Sequence, residues 1–322
     1  MMIHGSAAYD ILVILGPTAT GKTVLAAHLA ASLNGEVISA DSRQVYRGMD
    51  IGTGKDQEDY VVNGVTIPVH LTDIADAGYQ YNVYEYKRDF WEVMAALRAR
   101  GKFPVLCGGS GLYIEAVLQD YHLIEVPLNE ALRATLKGKS LEELTSILKT
   151  IKPKLHNITD IVNEKRAIRA IEIEEYYLRQ HDYSLPPAVT RSSGPSGTQS
   201  LHPMITGIRF DVDTRRRRIT HRLHQRLNNG MIEEVDQLLR SGIAPEALTY
   251  YGLEYKFITL YLTGELSLKE MTEKLNIAIH QFAKRQMTWF RKMERQGTLI
   301  HWIDGNLPLE EKVKEVIRKL EG

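Results

Sequence analysis

The sequence predicts an α/β fold in which a doubly wound parallel sheet carries a helical insertion domain. Three observations support this prediction. An apolar run at 11–15 leads into a glycine-rich turn and then a helical pattern at 24–33. Further short apolar runs alternate with helical patterns, which is typical of a parallel sheet. The stretch 119–180 instead contains charged amphipathic helices and no clear strand.

The glycine-rich turn matches the phosphate-binding loop, or P-loop, pattern G-x-x-x-x-G-K-S/T. It consists of Gly16, Pro17, Thr18, Ala19, Thr20, Gly21, Lys22 and Thr23. The glycines allow successive N–H groups to face an anion, and the next helix adds the positive end of its dipole. Lys22 supplies a cation, and the Thr23 hydroxyl is a candidate ligand for Mg²⁺. The pattern indicates phosphate binding, with an ordinary glycine-rich turn as the alternative, and does not identify the phosphate compound.

A second strand is predicted at 36–40, directly before Asp41. Because ligands of doubly wound sheets bind outside the carboxyl ends of the strands, we expect Asp41 to lie on the same rim as the phosphate loop. The next stretch, 47–55, contains three glycines and is predicted to be a loop. This loop is either a mobile surface connection or a direct substrate contact.

The remaining elements of the sheet domain are predicted from short apolar runs and helical spacing. Strands are expected at 65–71, 103–107, 204–210 and 299–303, and a helix at 81–100. The strand at 103–107 ends in two glycines, where many P-loop NTPases carry an aspartate that organises Mg²⁺. This difference disfavours a motor protein or an ATPase.

The composition change along the chain predicts four segments. They are a first part of the core (1–118), a helical insertion (119–183), a flexible connection rich in Pro, Ser and Gly (184–203), and a second part of the core with C-terminal helices (204–322).

Composition narrows the functional classes. The 322 residues include 40 basic and 40 acidic side chains, so a globally basic nucleic-acid binder is excluded while a locally basic groove is not. The single cysteine, Cys107, rules out an intramolecular disulfide framework. Neither a membrane-spanning run nor a signal peptide is recognisable. We therefore expect a cytoplasmic protein, without membrane partners, that is a monomer.

Two basic helices are candidates for anion binding. The helix from 213 carries Arg216, Arg222 and Arg226, and this spacing brings at least two of them to one side. They form either a solvated surface or a contact with the phosphate loop. The helix at 277–292 mixes cations with aromatic residues, a pattern found in proteins that bind unstacked RNA loops. Periodicity alone places Phe282, Trp289 and Phe290 in the core. The histidines show no metal-ligand spacing, so no zinc site is expected.

Together these motifs resemble those of the tRNA dimethylallyltransferase family, also called tRNA isopentenyltransferases or IPP transferases. The matching pieces are 16–23, 41–46 with 50–53, 108–113 and 283–289, with weaker matches at 165–172 and 216–226. They occur in the family's order and cover nearly the whole chain.

The resemblance implies Mg²⁺-dependent transfer of a dimethylallyl group from dimethylallyl diphosphate to a tRNA. The acceptor would be the exocyclic N6 amino group of the adenosine 3′ of the anticodon, in tRNAs reading codons that begin with U. By this resemblance Lys22, Mg²⁺ and Arg216 neutralise the departing diphosphate, and Thr18 lies beside the reacting carbon or the bridging oxygen. Asp41 accepts the proton of the amino group, since a neutral exocyclic amine is a poor nucleophile.

The resemblance also implies an anticodon stem-loop site, into which the stacked target base must be extruded. Its residues would be Asp41, Ser42, Arg43, Gln44, Ser110, Lys165, Arg166, Arg169, Gly252, Lys284, Arg285 and Gln286. Ser110 stands where the family usually has threonine, and its hydroxyl preserves the possible contact.

Three departures from the family pattern concern tRNA binding. The Gly-Tyr segment appears here as 252–256 with its aromatic residue displaced, Ile279 and His280 replace a Thr-Arg pair, and the insertion is short. Alternatives to the family function are an isopentenyltransferase acting on free adenine nucleotides, a P-loop small-molecule kinase, and a nucleotide-dependent RNA-binding module without enzymatic activity.

Overall fold

The computed structural model describes residues 9–121, 123, 125–153, 158–179 and 201–321. Most of the predicted connection, residues 184–200, lies outside the described residues. The chain divides into two compact units, Met1–Leu118 with Gln199–Gly322, and Gln119–Thr198. Among the described residues, none of the helices combines the length and the apolar character needed to cross a bilayer.

The first unit is built on a six-stranded parallel sheet, which confirms the predicted fold class. The strands are β1 (Ile11–Leu15), β2 (Gly35–Ser39), β3 (Val61–Val62), β4 (Val65–Thr66), β5 (Val69–His70), β6 (Phe103–Gly108), β7 (Pro203–Arg209) and β8 (His301–Asp304). The main sheet has the order β5-β2-β6-β1-β7-β8, while β3 and β4 form a separate antiparallel pair.

The helices of the described residues follow in chain order. They are α1 (Lys22–Ser32), α2 (Val83–Ala99), α3 (Gly111–Leu118), α4 (Glu130–Leu136), α5 (Leu141–Ile151), α6 (Glu164–Arg179), α7 (Val212–Asn228), α8 (Met231–Arg240), α9 (Pro245–Leu248), α10 (Leu253–Leu262), α11 (Leu268–Arg295) and α12 (Leu309–Glu321). Short 3₁₀ helices occur at Gln57–Tyr60 and Ile158–Ile161.

The central strand β1 is buried at every position because helices cover both faces of the sheet. On one face its Leu12 and Ile14 pack with residues of α1 and α12. On the other face Ile11, Val13 and Leu15 pack in a core that includes α2, α3, α7, α10 and α11. The apolar run seen in the sequence is therefore the signature of a strand that is enclosed on both sides.

Strand register places the ends of three neighbouring strands at one rim. Leu15 of β1 lies opposite Gly108 of β6, and Ser39 of β2 lies opposite Cys107. Since the strands are parallel, the segments that follow them emerge on the same side of the sheet. The phosphate loop, Asp41 and the glycine-rich turn after β6 thus share a rim, as expected from the sequence.

The predicted strand at 65–71 is wrong as a single element. Its first two residues pair with β3, whereas Val69 and His70 join the edge of the main sheet beside β2. Pro68 separates the two pieces and has no N–H group with which to continue a ladder. The carbonyl oxygen of Pro68 instead accepts a hydrogen bond from the Val37 N–H group at 2.9 Å.

The second unit has its own small core between α4, α5 and α6. It consists of Leu136, Leu144, Leu148, Ala167 and Ile171. Beside it, Glu172 accepts hydrogen bonds from Arg133, Arg169 and the Asn129 N–H group. Burial alone would raise the pKa of Glu172, but these hydrogen bonds lower it to about 2.

Candidate active site

The phosphate loop follows the central strand and leads directly into α1. The Thr20 hydroxyl donates to the Pro17 carbonyl oxygen at 2.8 Å and so closes the turn. Gly21 has φ of 77°, in the left-handed region that favours glycine, and α1 begins at the next residue. The loop therefore presents the N-terminus of a helix, with its free N–H groups, at the rim of the sheet.

Lys22 lies among opposing charges. Burial lowers the pKa of its ammonium group, the negative charge of Asp41 raises it, and Arg222 and Arg226 lower it further. These electrostatic effects show that the four charged groups are close enough to act on one another. The site therefore combines three cations with the carboxylates of Asp41 and, on the two arginines, Asp56. An anionic ligand that binds Arg222 and Arg226 would take the place of Asp56.

Asp41 lies at the end of β2, in a segment that hydrogen bonds hold against β6. Its Oδ1 accepts the Arg43 N–H group at 3.1 Å. The Ser42 N–H group donates to the Ser110 Oγ at 3.0 Å, and the Ser110 N–H group donates to the Ala40 carbonyl oxygen at 3.1 Å. Ser110 therefore fixes the backbone on both sides of Asp41.

The close approach of these two strand ends requires glycine at 108. A Cβ atom at Gly108 would collide with the carbonyl group of Ala40. The Ala40 N–H group donates to the Cys107 carbonyl oxygen at 2.7 Å across the same gap. Cys107 itself is buried, and burial raises the pKa of its thiol to about 12, so it is an inert core residue.

Two glutamines that the resemblance assigned to tRNA binding have their amides bonded within the protein. Gln44 accepts from the Ser39 hydroxyl at 2.9 Å and donates to the Gly54 carbonyl oxygen at 3.0 Å. Gln286 accepts from the Thr18 N–H group at 2.9 Å and donates to the Gly109 carbonyl oxygen at 3.0 Å. Both side chains are buried.

The arginines that approach the phosphate loop are Arg218, Arg222 and Arg226. Arg218 donates from Nε to the Ala19 carbonyl oxygen at 2.9 Å. Arg222 and Arg226 both donate to the Asp56 carboxylate, at 3.0 and 3.2 Å. Their spacing of four places all three on one side of α7, as the helical period requires.

Arg216 lies elsewhere on α7. It is exposed, and together with Arg215 it lies near His280, whose pKa is lowered by burial and by these two charges. Residue 216 is about half a helical turn away from 218 around the axis, so the two side chains leave α7 on different sides. The sequence analysis missed Arg218, although the spacing 218, 222, 226 could have identified it.

The loop at 47–55 is held by two charged residues. Glu234 accepts the N–H groups of Asp50, Ile51 and Gly52 at 2.9, 2.7 and 3.0 Å. Lys55 is 6% exposed, donates to the Tyr46 carbonyl oxygen at 2.7 Å, and forms ion pairs with Asp50 and Asp73. These bonds tie the loop to α8 and to Asp73, which disfavours the mobile-connection interpretation.

A pocket opens between the phosphate loop and helices α7, α8, α10 and α11. It is lined by Thr18, Ala19, Ile219, Arg222, Leu223, Arg226, Met231, Glu254 and Ile279. Polar and cationic groups therefore share it with an apolar wall. Glu254, which lies within the segment 252–256 where the sequence departs from the family pattern, also lines this pocket, and burial raises the pKa of its carboxyl group.

Several predicted tRNA-binding residues are accessible on the first unit. Lys284 and Arg285 are exposed on α11, and the Arg43 guanidinium lies 5.3 Å from the ring centroid of Tyr250, which is 43% exposed. Gly252, with φ of 143°, precedes α10.

Phe290 is buried as predicted, but Phe282 is 39% exposed, so its assignment to the core is wrong. Phe282 is four residues from buried Gln286 along α11, yet the core contacts of this helix run through Ile279, Ala283 and Phe290 instead.

In the second unit, Lys165 and Arg166 are exposed near the start of α6. Arg169 donates to the Val126 carbonyl oxygen at 2.7 Å and pairs with Glu172. Its guanidinium is therefore engaged in bracing this unit.

Metal binding at the phosphate loop would depend on few protein ligands. Within the described residues no group of three or more His, Cys, Asp or Glu side chains is arranged to hold a metal ion. Mg²⁺ bound to phosphorylated substrates usually takes one or two protein oxygens, substrate oxygens and water. The Thr23 hydroxyl at the start of α1 fits this type of site.

Comparison with known proteins gives a consistent result. The family model described as IPP transferase matches residues 44–293. A tRNA dimethylallyltransferase 2 from Bacteroides fragilis is 57% identical over 97% of this chain and 98% of its own. A tRNA dimethylallyltransferase 1 from Parabacteroides distasonis is 56% identical with the same coverages.

Solved structures agree. The crystal structure of a tRNA isopentenylpyrophosphate transferase from Bacillus halodurans is 31% identical, covers 97% of both chains and has a TM-score of 0.68. A eukaryotic dimethylallyltransferase acting on tRNA is 21% identical over 92% of this chain and 73% of its own, with a TM-score of 0.70, and supports the shared fold.

Proposed function

Because the chain belongs to the IPP transferase family of tRNA dimethylallyltransferases, we propose that it transfers the dimethylallyl group of dimethylallyl diphosphate to a specific adenosine of tRNA. The acceptor is the exocyclic N6 amino group of the adenosine 3′ of the anticodon, in tRNAs reading codons that begin with U. Diphosphate is the second product.

The observation that carries this proposal is the mixed character of the pocket beside the phosphate loop. Dimethylallyl diphosphate has a dianionic or trianionic head and a small branched apolar tail. Arg222 and Arg226 on one side suit the head, while Leu223, Met231 and Ile279 suit the tail. The adenine ring of ATP would also pack on such a wall, so the choice of a prenyl donor over ATP rests on the family to which the chain belongs.

The leaving group gains negative charge as the bond between carbon and oxygen breaks. Lys22, the N–H groups at the start of α1 and the two pocket arginines lie near one another at this rim and would stabilise that charge, the arginines by exchanging Asp56 for the diphosphate. Thr18 lines the same pocket and is the side chain we assign to the reacting carbon or the bridging oxygen.

Mg²⁺ fits this site through the Thr23 hydroxyl and the diphosphate oxygens. When bound, it would supply additional positive charge to the diphosphate.

Asp41 is the proposed proton acceptor. The N6 lone pair forms a bond to the allylic carbon while the carbon–oxygen bond breaks, and diphosphate leaves with that electron pair. The N6 proton passes to the Asp41 carboxylate. The hydrogen bonds between Ser110 and the two residues that flank Asp41 support this role, because they hold the backbone that carries the carboxylate at the rim beside Lys22.

RNA binding is assigned to exposed cations. On the first unit these are Lys284 and Arg285, together with the half-buried Arg43, and on the second unit Lys165 and Arg166. Cations of this kind bind the phosphate backbone of the anticodon stem-loop. The target base is extruded from its stack to reach Asp41.

The test is transfer of labelled dimethylallyl from its diphosphate, in the presence of Mg²⁺, to three acceptors: an unmodified tRNA, the same tRNA with guanosine at the target position, and AMP. We expect label in the unaltered tRNA only. Label in AMP would show that the acceptor is a free nucleotide and not tRNA. Release of ADP from ATP without prenyl transfer would identify a kinase.

A further inference from the structure

Gln286 lies near the middle of α11 and is 7% exposed, in contrast to Lys284 and Arg285 directly before it. Its Oε1 accepts the Thr18 N–H group at 2.9 Å, and its Nε2 donates to the Gly109 carbonyl oxygen at 3.0 Å. These partners belong to the segments that follow β1 and β6, which are neighbours in the sheet. One side chain therefore joins two loops at the rim.

The amide of Gln286 lies close against the backbone of Gly109, so a larger residue at 109 would displace it. A Cβ atom at Gly109 would collide with Nε2 of Gln286, and a Cβ atom at Gly111 would collide with the ring of Trp289. Gln286 and Trp289 are three residues apart, so they lie on the same side of α11. This side of the helix fits closely against the turn at 109–111.

The turn connects Gln286 to the carboxylate of Asp41. Ser110 follows Gly109, and its Oγ accepts the Ser42 N–H group, directly after Asp41. On its other side Gln286 holds Thr18, which lines the pocket. The amide thus links the phosphate loop to the segment that carries Asp41.

We propose that Gln286 is a positioning residue, which fixes the phosphate loop against the Asp41 segment, and that it does not bind RNA itself. The proposal rests on the proposed function. Both halves of the amide are needed, because Thr18 offers a donor and Gly109 offers an acceptor. Among side chains of this length, only the glutamine amide presents both at neutral pH without having to be protonated.

This requirement gives Gln286→Glu a distinctive pH dependence. The ionised carboxylate still accepts from Thr18, but it repels the Gly109 carbonyl oxygen that it can no longer bond. Once protonated, the introduced carboxyl has one donor and one acceptor, as the amide has. Burial beside a carbonyl oxygen favours the protonated form, so recovery begins above the ordinary pKa of glutamate.

The experiment compares the wild-type protein, Gln286→Glu, Gln286→Met and, as a matched variant on the exposed side of the same helix, Lys284→Ala. It measures the affinity for inorganic diphosphate with Mg²⁺, the affinity for an anticodon stem-loop RNA, and single-turnover transfer as a function of pH. At about pH 8 we expect both Gln286 variants to lose about tenfold in diphosphate affinity, as for the loss of one buried hydrogen bond. Stem-loop affinity should stay at the wild-type value.

As the pH falls to about 5.5, Gln286→Glu should recover relative to the wild type and Gln286→Met should not. Lys284→Ala should show the opposite pattern, with weaker stem-loop binding and unchanged diphosphate affinity. A Gln286 variant that loses stem-loop affinity while keeping diphosphate affinity would overturn the proposal.

A folded Gln286→Glu protein whose diphosphate affinity does not recover at low pH would overturn it as well. This variant is compared with itself at two pH values, so the test stands even if Gln286→Met does not fold. Diphosphate affinity is measured without transfer. If the wild-type protein transfers no prenyl group, the proposed function is contradicted. The positioning role is then still decided by the measured affinities for diphosphate.

Discussion

Arg218 of α7 donates its Nε hydrogen to the carbonyl oxygen of Ala19 in the phosphate loop, at 2.9 Å. The guanidinium also lies 4.7 Å from the ring centroid of Phe210, which holds it in place. Ala19 has φ of 63°, a conformation that a non-glycine residue adopts only when its surroundings hold it. Helix α7 therefore stabilises the conformation of the phosphate loop through one arginine.

We expect Arg218→Ala to weaken the binding of dimethylallyl diphosphate. Loss of a charge-assisted hydrogen bond to the loop should cost about 1.5 kcal/mol, or about tenfold in affinity. Arg216→Ala is the control on the same helix, because Arg216 points to another side. Isothermal titration with diphosphate and Mg²⁺ measures both, and a larger loss with Arg216→Ala would restore that residue to the diphosphate site.

Replacing Asp41 should affect chemistry rather than binding. Asp41→Asn and Asp41→Ala both remove the proton acceptor, and the asparagine keeps the hydrogen bond to the Arg43 N–H group. Single-turnover transfer should fall by about 10²-fold to 10⁴-fold, the usual contribution of a general base. Stem-loop affinity should change little, and near-normal transfer by either variant would refute the assignment.

Lys284→Ala should weaken stem-loop binding and lower its dependence on salt. One phosphate contact contributes about one unit to the slope of log affinity against log salt concentration. The matched variant is Lys314→Ala, on α12, which the proposal leaves outside the RNA site. If the salt dependence of stem-loop affinity has the same slope for Lys284→Ala and the wild type, α11 is not part of the RNA-binding surface.

Acid should loosen the second unit through Glu172. Its pKa is about 2 in the folded protein, below the ordinary value of 4.5. A lowered pKa means that the ionised form stabilises the fold, so this contribution is complete above pH 4.5 and is lost as the pH falls towards 2. Glu172→Gln should remove the contribution at neutral pH as well.

Amide hydrogen exchange in α6 would measure that effect. Exchange should speed up in the wild type as the pH is lowered through this window, after correction for intrinsic rates, and should be fast in Glu172→Gln already at neutral pH. A wild-type exchange rate that does not respond to acid would show that the carboxylate does not hold the unit together.

Local patterns predicted the sheet and its rim. The strand, glycine turn and helix at the start of the chain follow from residue spacing alone, and parallel topology then placed Asp41 beside the loop. The strand at 65–71 was predicted wrongly, because the prediction followed the apolar residues of this stretch and ignored Pro68, which interrupts strand pairing. Helical spacing could also have separated Arg218 from Arg216.

The contacts made by glutamines could not have been predicted in this way. Gln44 and Gln286 find partners 10 and 177 residues away in Gly54 and Gly109. Such pairs depend on tertiary packing. The sequence around a glutamine does not indicate which distant residue its amide will bond. The same is true of Glu234, whose three bonds to the loop at 50–52 span more than half the chain.

The central claim is that a dimethylallyl group reaches one adenosine of tRNA. The most direct measurement is mass spectrometry of nuclease fragments from an unmodified tRNA that reads a codon beginning with U, after incubation with the protein, dimethylallyl diphosphate and Mg²⁺. We predict that the fragment containing the adenosine 3′ of the anticodon gains one dimethylallyl group and that no other fragment changes. An unchanged fragment, or a prenyl group at another nucleotide, would contradict the account.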